Sequence, residues 1–186
     1  SQDMLEVAKE KLHSFYQHGA LRLKCHNFMD QPVPEKYDKV LVTFYTFNYI
    51  LEKPETFLKN IFLSMSEDAL LVMDVFYPKT LANKELEDVW TRHEFRYQDR
   101  IIQLRDKRTF SNDIEERIQI YQANGEETRI ESIRKYYPPS TLKKLLETVG
   151  FQNILFSRNY DVLSFKETIH EEKISGNFLV KAVKRT

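Results

Sequence analysis

Residues 44–49 read Phe-Tyr-Thr-Phe-Asn-Tyr, four aromatics in six positions. A core strand alternates its faces, so a run that stays aromatic past the strand's expected end points to a lined site; plain core packing is the competing reading. Phe44 and Tyr45 open this run, and Asn48 and Tyr49 close it with an amide and a phenol. Asp74 ends the apolar run "ALLVMD", where a carboxylate can orient an amine or a hydroxyl, gain from a nearby cation, or only cap the next segment. Asn27, Phe28 and Asp30 form a second polar and aromatic group, and Arg134, Tyr136 and Tyr137 a third. The five histidines include no pair four residues apart, and the sole cysteine, Cys25, adjoins His26, so metal-ligand spacing is missing. His93 is the best candidate base, set against the plain alternative of a surface histidine.

The elements that must hold these groups follow from periodicity. Residues 2–17 place Met4, Leu5, Ala8, Leu12, Phe15 and Tyr16 at helical spacing, with Gly19 as a stop. "ALRLKCHNF" alternates as a short strand, and "KVLVTFYTF" reads as a strand buried on both faces. Pro54 starts a helix whose inward stripe is Phe57, Leu58, Ile61, Phe62 and Met65. "DALLVMDVFYP" is another buried strand, so the order is helix, strand, helix, strand, as in a doubly wound sheet. A short helical stretch, "TLANKELEDVW", leads to residues 91–137, which alternate and contain the hairpin signal Asn124-Gly125. They predict an antiparallel meander of three or four strands. "PPSTLKKLLETVG" is a helix closed by Gly150, and "FQNILFSRNYD" and "GNFLVKAVKRT" are two last strands joined by a charged loop over 162–175.

Composition narrows the function classes. Lys plus Arg number 28 and Asp plus Glu 28, so no net field steers the chain toward nucleic acid or an anionic membrane. The arginines of 92–134 are interleaved with acids, which suits a solvated sheet face better than a base-stacking one. One cysteine suits a reducing cytoplasm, and no apolar run approaches the ~20 residues of a membrane span. The four glycines are scattered, and no two lie within twenty residues of each other, so a glycine-rich phosphate or nucleotide loop is absent from this stretch.

Four strings, taken in order, resemble the class I S-adenosylmethionine-dependent methyltransferases, in particular the small-molecule kind with an antiparallel insert after strand five. They are "SQDML", "KYDKVLVTFYTFNYIL", "ALLVMDVFYP" and "RKYYPPSTLKKLLETVGFQNI". The resemblance implies an α/β fold: a Rossmann-like doubly wound methyltransferase sheet with an inserted antiparallel β-meander. Residues 1–90 would be the carboxyl-terminal part of the core, 91–137 the lid and acceptor region, and 138–186 the last helix and two strands. S-adenosylmethionine is the implied cofactor. Met4 would lie near its ribose and adenine, Asn27 and Phe28 at the adenine, and Phe44 and Tyr45 at the methionine end. Asn27 stands where the family commonly has an acid. The implied acceptor contacts are Asn48, Arg134 and Tyr136, and the candidate catalytic groups are His93, Tyr49 and Asp74. The family's glycine loop and ribose acid, with strands one and two, have no counterpart in these 186 residues. The resemblance therefore implies a chain inactive by itself, with the missing pair belonging between strands three and four.

Methyl transfer to a small-molecule acceptor by in-line displacement is the expected function, with the insert as a pocket wall and a possible homodimer surface. The alternatives are a methyltransferase acting on RNA or protein, and a non-catalytic partner subunit that lacks the cofactor loop.

Overall fold

The computed structural model describes residues 2–77, 88–158, 160–168 and 176–185. Two sheets divide the chain. The first contains β1 (Tyr37–Val42), β2 (Met65–Tyr77), β7 (Phe151–Arg158) and β8 (Gly176–Lys184), in the spatial order β1-β2-β8-β7. β1 and β2 are parallel, with Leu41 opposite Val72. β8 runs antiparallel to both β2 and β7. The parallel crossover is α3 (Pro54–Leu63), which begins with Pro54 because proline's missing N–H costs nothing in a first turn. α4 (Pro139–Val149) lies beside α3 and ends at Gly150, whose φ of 112° is open only to glycine without strain.

The core is one apolar cluster made by the inward stripe of α3, by Leu142 and Leu146 of α4, and by Leu71, Met73 and Val75 of β2. Phe151, Phe156, Phe178 and Val180 supply the β7 and β8 side. Alternation along β2 produces this directly, since every second residue enters the same face.

The second sheet is a four-stranded antiparallel meander: β3 (Thr91–Tyr97), β4 (Arg100–Ser111), β5 (Ile114–Ala123) and β6 (Glu126–Lys135). Asn124 and Gly125, at φ 52° and 81°, are the two central residues between the paired Ala123 and Glu126, as a type I′ hairpin requires. Gln98 and Asn112 open the other two turns, also at positive φ.

Three sequence expectations change. The residues of "ALRLKCHN" form no strand, because among the described residues no ladder partner stands beside them to take up their alternating backbone groups. The amino-terminal helix is two pieces, α1 (Gln2–Lys11) and α2 (His13–Gln17), and neither buries a residue; Met4 is 73% exposed. β1 is an edge strand and is not buried on both faces, with Leu41 69% exposed. The helical reading of "TLANKELEDVW" and most of the charged 162–175 loop lie outside the described residues. No described helix is long and apolar enough to cross a membrane.

Candidate functional site

The carboxyl end of β1 runs into a backbone that few residues tolerate. Phe44 and Tyr45 both have left-handed φ, 57° and 55°, and neither is glycine. Each such residue costs on the order of 1–3 kcal/mol and persists only where its surroundings over-determine it. Successive N–H groups in such a conformation form a small anion-binding concavity. Here the anion is internal. The Asp74 carboxylate, 9% exposed on β2, accepts from Phe44 N–H at 3.2 Å and from Tyr45 N–H at 3.1 Å. The Tyr160 hydroxyl, from the segment after β7, lies 3.1 Å from Asp74 Oδ2 and 3.2 Å from the Tyr45 hydroxyl. Burial first, then the Tyr45 bond and the Asp74 charge, raise the Tyr160 phenol above its ordinary value.

The short 3₁₀ turn Thr46–Tyr49 then joins the two sheets. Asn48 is fully buried within it. Its Nδ2 donates to the Phe76 carbonyl at 2.9 Å and to the Lys135 carbonyl at 2.8 Å, and its Oδ1 accepts from Phe76 N–H at 2.9 Å. One amide thus ties the turn to the ends of β2 and β6. Tyr137 donates to the Ile50 carbonyl, and burial raises its phenol to about 12, so it stays a donor. The Phe76 ring lies 5.7 Å from Tyr45 and 5.9 Å from Tyr136, between the loop and the root of the insert.

The insert faces this junction with charge. Glu115 and Arg134 are cross-strand partners on β5 and β6, so they share a face. Arg134 Nε donates to the Tyr49 hydroxyl at 3.0 Å, and its guanidinium lies 5.2 Å from that ring's centre. Tyr136 donates to Glu115, which is 1% exposed and held 3.6 Å from Arg108. Burial raises the Glu115 carboxyl above its ordinary value, against the pull of Arg108, Arg134 and Arg117. Asp106 goes the other way. Burial would raise it, but Arg117 at 2.7 and 3.0 Å and Arg108 at 3.0 Å more than offset that and hold it low.

No protein-family model matches the sequence, and neither does any curated protein. Solved structures do match. An S-adenosylmethionine-dependent methyltransferase from Clostridium acetobutylicum superposes with a TM-score of 0.77 at 16% identity, covering 100% of this chain and 73% of that one. The CcbJ methyltransferase from Streptomyces caelestis gives 0.74 at 15% identity, over 100% of this chain and 77% of that one. The amino pentose methyltransferase CalS10 from Micromonospora echinaspora, solved with S-adenosylmethionine bound, gives 0.69 at 10% identity, covering 97% and 70%. The fold is that of the class I methyltransferases.

In a class I methyltransferase sheet the ligand crevice lies beyond the carboxyl ends of the parallel strands. Tyr45, Tyr49, Asn48, Asp74, Arg134 and Tyr136 gather at that end of β1 and β2. Phe44 is there too, with its ring pointing to solvent at 85% exposure. His93 is not. It lies on β3, the strand of the insert farthest from β6, and β6 is the one beside Thr46–Tyr49. Three strand spacings of ~4.8 Å separate them. Asn27 spends its amide locally, donating to Asp30 at 2.9 Å and accepting from Met29 N–H at 3.1 Å. Phe28 packs edge-on to His26 and Phe57, at 4.8 and 6.2 Å, against the core cluster. Met4 stands on α1, which buries none of its own residues, and is itself exposed.

Tyr160, Phe76 and Glu115 were not legible as site residues. Tyr160 meets Asp74 across 86 positions of sequence and Glu115 meets Tyr136 across 21, and no local pattern marks such pairs.

Proposed function

We propose that this chain transfers a methyl group from S-adenosylmethionine to a small-molecule acceptor bound between the carboxyl end of β1–β2 and the inserted sheet. The observation that carries the reading is that the fold match runs through the whole chain, with the insert included. S-adenosylmethionine, when bound, supplies a methyl group already activated on a sulfonium. The chain's own task is therefore alignment, worth up to ~7–11 kcal/mol in well-oriented systems.

The residues present fit the methionine end of such a donor. The backbone of Phe44 and Tyr45 is held by Asp74, whose carboxylate would favour a cationic donor bound at this turn. The ribose end is less complete. Asn27 is engaged with its own turn, and no glycine cluster stands along the exposed edge of β1. In this reading the donor site is completed by residues pairing along that open edge, and the 186 residues are inactive alone. Asn48 acts as a positioning residue for the insert, and Arg134 with Tyr49 forms the acceptor wall. Asp74 shapes the loop and does not touch the acceptor. A cytoplasmic setting and a homodimer through the outer face of the insert belong to the same reading.

Isothermal titration tests it. The protein isolated from its natural source binds S-adenosylmethionine, while residues 1–186 alone do not. Micromolar affinity in the 186 residues would overturn the completion at the β1 edge. No binding by the natural protein would overturn the enzyme. The second reading is a non-catalytic partner subunit, and the exposed Leu41 edge with the exposed Val7 and Phe15 favours it. It gains if the natural protein carries a bound chain and no donor.

A further inference from the structure

The Asp74 carboxylate sets the direction of a short hydrogen-bond chain whose outer end is Tyr45. An ionised carboxylate only accepts, whereas a phenol has one proton to donate and an oxygen that accepts. The Tyr160 hydroxyl, 3.1 Å from Asp74 Oδ2, therefore commits its proton to Asp74. Its oxygen, 3.2 Å from the Tyr45 hydroxyl, is left to accept, so Tyr45 commits its own proton to Tyr160. The raised Tyr160 phenol keeps that proton in place. The half-buried Tyr45 consequently offers the crevice an oxygen that can accept and cannot donate. Cooperative polarisation along the chain strengthens that oxygen as an acceptor.

This matters for the nucleophile. A tyrosine free to donate would bond the lone pair that must attack the methyl carbon. One that only accepts instead takes an N–H or O–H and leaves the lone pair free. We infer that Tyr160 is a positioning residue that, through Asp74, fixes Tyr45 as a hydrogen-bond acceptor for the nucleophile being methylated, and so favours amine and hydroxyl acceptors. The inference rests on the methyl-transfer reading above. No proton moves along the chain. A carbon–nitrogen or carbon–oxygen bond forms, the carbon–sulfur bond breaks with its electrons left on sulfur, and the nucleophile's proton leaves to solvent.

The first test needs no substrate. In the natural protein, proton NMR should show two protected tyrosine hydroxyl protons at this site. Tyr45→Phe should remove one, and Tyr160→Phe should remove both, since Tyr45 then has no partner. A Tyr45 hydroxyl proton that stays protected in Tyr160→Phe overturns the chain. The second test uses labelled S-adenosylmethionine with benzylamine, phenol and benzyl mercaptan as model acceptors. Tyr160→Phe should lower kcat for the amine and the phenol by about tenfold or more, with donor Kd and the KM values unchanged, and spare the thiol, which attacks as the thiolate. The melting temperature should fall by no more than about 2–4 °C. Equal loss with the thiol, transfer to the thiol alone, or transfer to none of the three would overturn the selection. Both hydroxyl protons present in a natural protein that does not bind S-adenosylmethionine would overturn methyl transfer and leave the hydrogen-bond chain standing.

Discussion

The two sheets of this molecule are stabilised in different ways. The first sheet buries a continuous apolar cluster drawn from four strands and two helices. The inserted sheet has one buried apolar side chain, Ile120, on its own strands, and its other two buried residues are the carboxylates Asp106 and Glu115. Burial of apolar area contributes ~25 cal/mol per Å² and is non-directional, so it makes a scaffold. Buried charge contributes little net stability but demands one geometry. The first sheet is therefore an apolar scaffold, and the inserted sheet is held by polar and specific contacts. The two sheets meet at Asn48, Phe76 and Tyr136.

The largest effect should come from testing this contrast directly. Leu71→Ala in the centre of the first sheet should cost about 2–5 kcal/mol, because a fully buried site leaves a cavity. Ile118→Ala, half-buried on β5, should cost about 1 kcal/mol. Urea denaturation of each variant measures both. Similar costs would mean that the insert has an apolar core of its own against a partner.

The next effect lies at the junction. Asn48→Ala would leave the Phe76 N–H and C=O and the Lys135 C=O without their side-chain partner in a buried place. Unsatisfied groups there cost ~1–3 kcal/mol each before relaxation, so we expect a net loss of about 2–4 kcal/mol. Hydrogen exchange should report where the loss goes. Protection should fall along β6 and the Thr46–Tyr49 turn, while β7 and β8 keep theirs. A uniform loss would show that the insert and the core unfold as one unit.

Much of the scaffold was legible because its signals are periodic. Phe57, Leu58 and Ile61 at helical spacing, Pro54 and Gly150 at helix ends, and Asn124-Gly125 at a turn each act on near neighbours. β1 misled because a continuous apolar run reports preference for burial and says nothing about which neighbours are present to supply it. The 20–27 segment failed similarly, since alternation without a ladder partner does not make a strand. In the site, the aromatic run and Asp74 stood out by type and position, yet their roles did not. Asp74 was read as a carboxylate that could orient an acceptor or only cap the next segment, and it accepts from the Phe44 and Tyr45 N–H groups. Asn48 was expected to touch the acceptor, and both its donors are committed to carbonyls. Sequence shows which residues can hydrogen-bond; only the fold shows which of those bonds are already taken.

Two glycines sharpen the comparison at smaller scale. Gly150, in the first sheet's layer, has φ 112°, and an added Cβ would lie 3.3 Å from the Phe62 ring. Gly125, in the insert hairpin, has φ 81° and open space around it. Alanine at 125 should therefore cost only the left-handed strain, ~1–2 kcal/mol. Alanine at 150 should cost that and a displaced Phe62. Thermal melts in which the two variants fall equally would mean that Phe62 yields freely and that this edge of the core is looser than its burial indicates.

The smallest effect should appear as a pH dependence confined to the insert. Glu115 has a folded pKa raised above its reference value of 4.5, first by burial. A raised carboxyl contributes stability that is fully present below its unfolded pKa and is lost as pH rises through the folded one. Asp106 is held below its reference value of 3.8, so its contribution is present above that value and is lost as pH falls through the lower folded pKa. The insert should accordingly weaken at both ends, from Asp106 in acid and from Glu115 above pH 4.5. The Glu115 limb should be shallow because Arg108, Arg134 and Arg117 offset much of the burial. Glu115→Gln keeps an oxygen for the Tyr136 hydroxyl and removes the ionisation, so it should flatten the upper limb and leave the acid limb unchanged. Hydrogen exchange along β5, measured from about pH 2 to about pH 8 and corrected for the intrinsic rate, separates the limbs. An upper limb that survives in Glu115→Gln would place the titrating group elsewhere and leave the buried carboxyl as a passive neighbour of Tyr136.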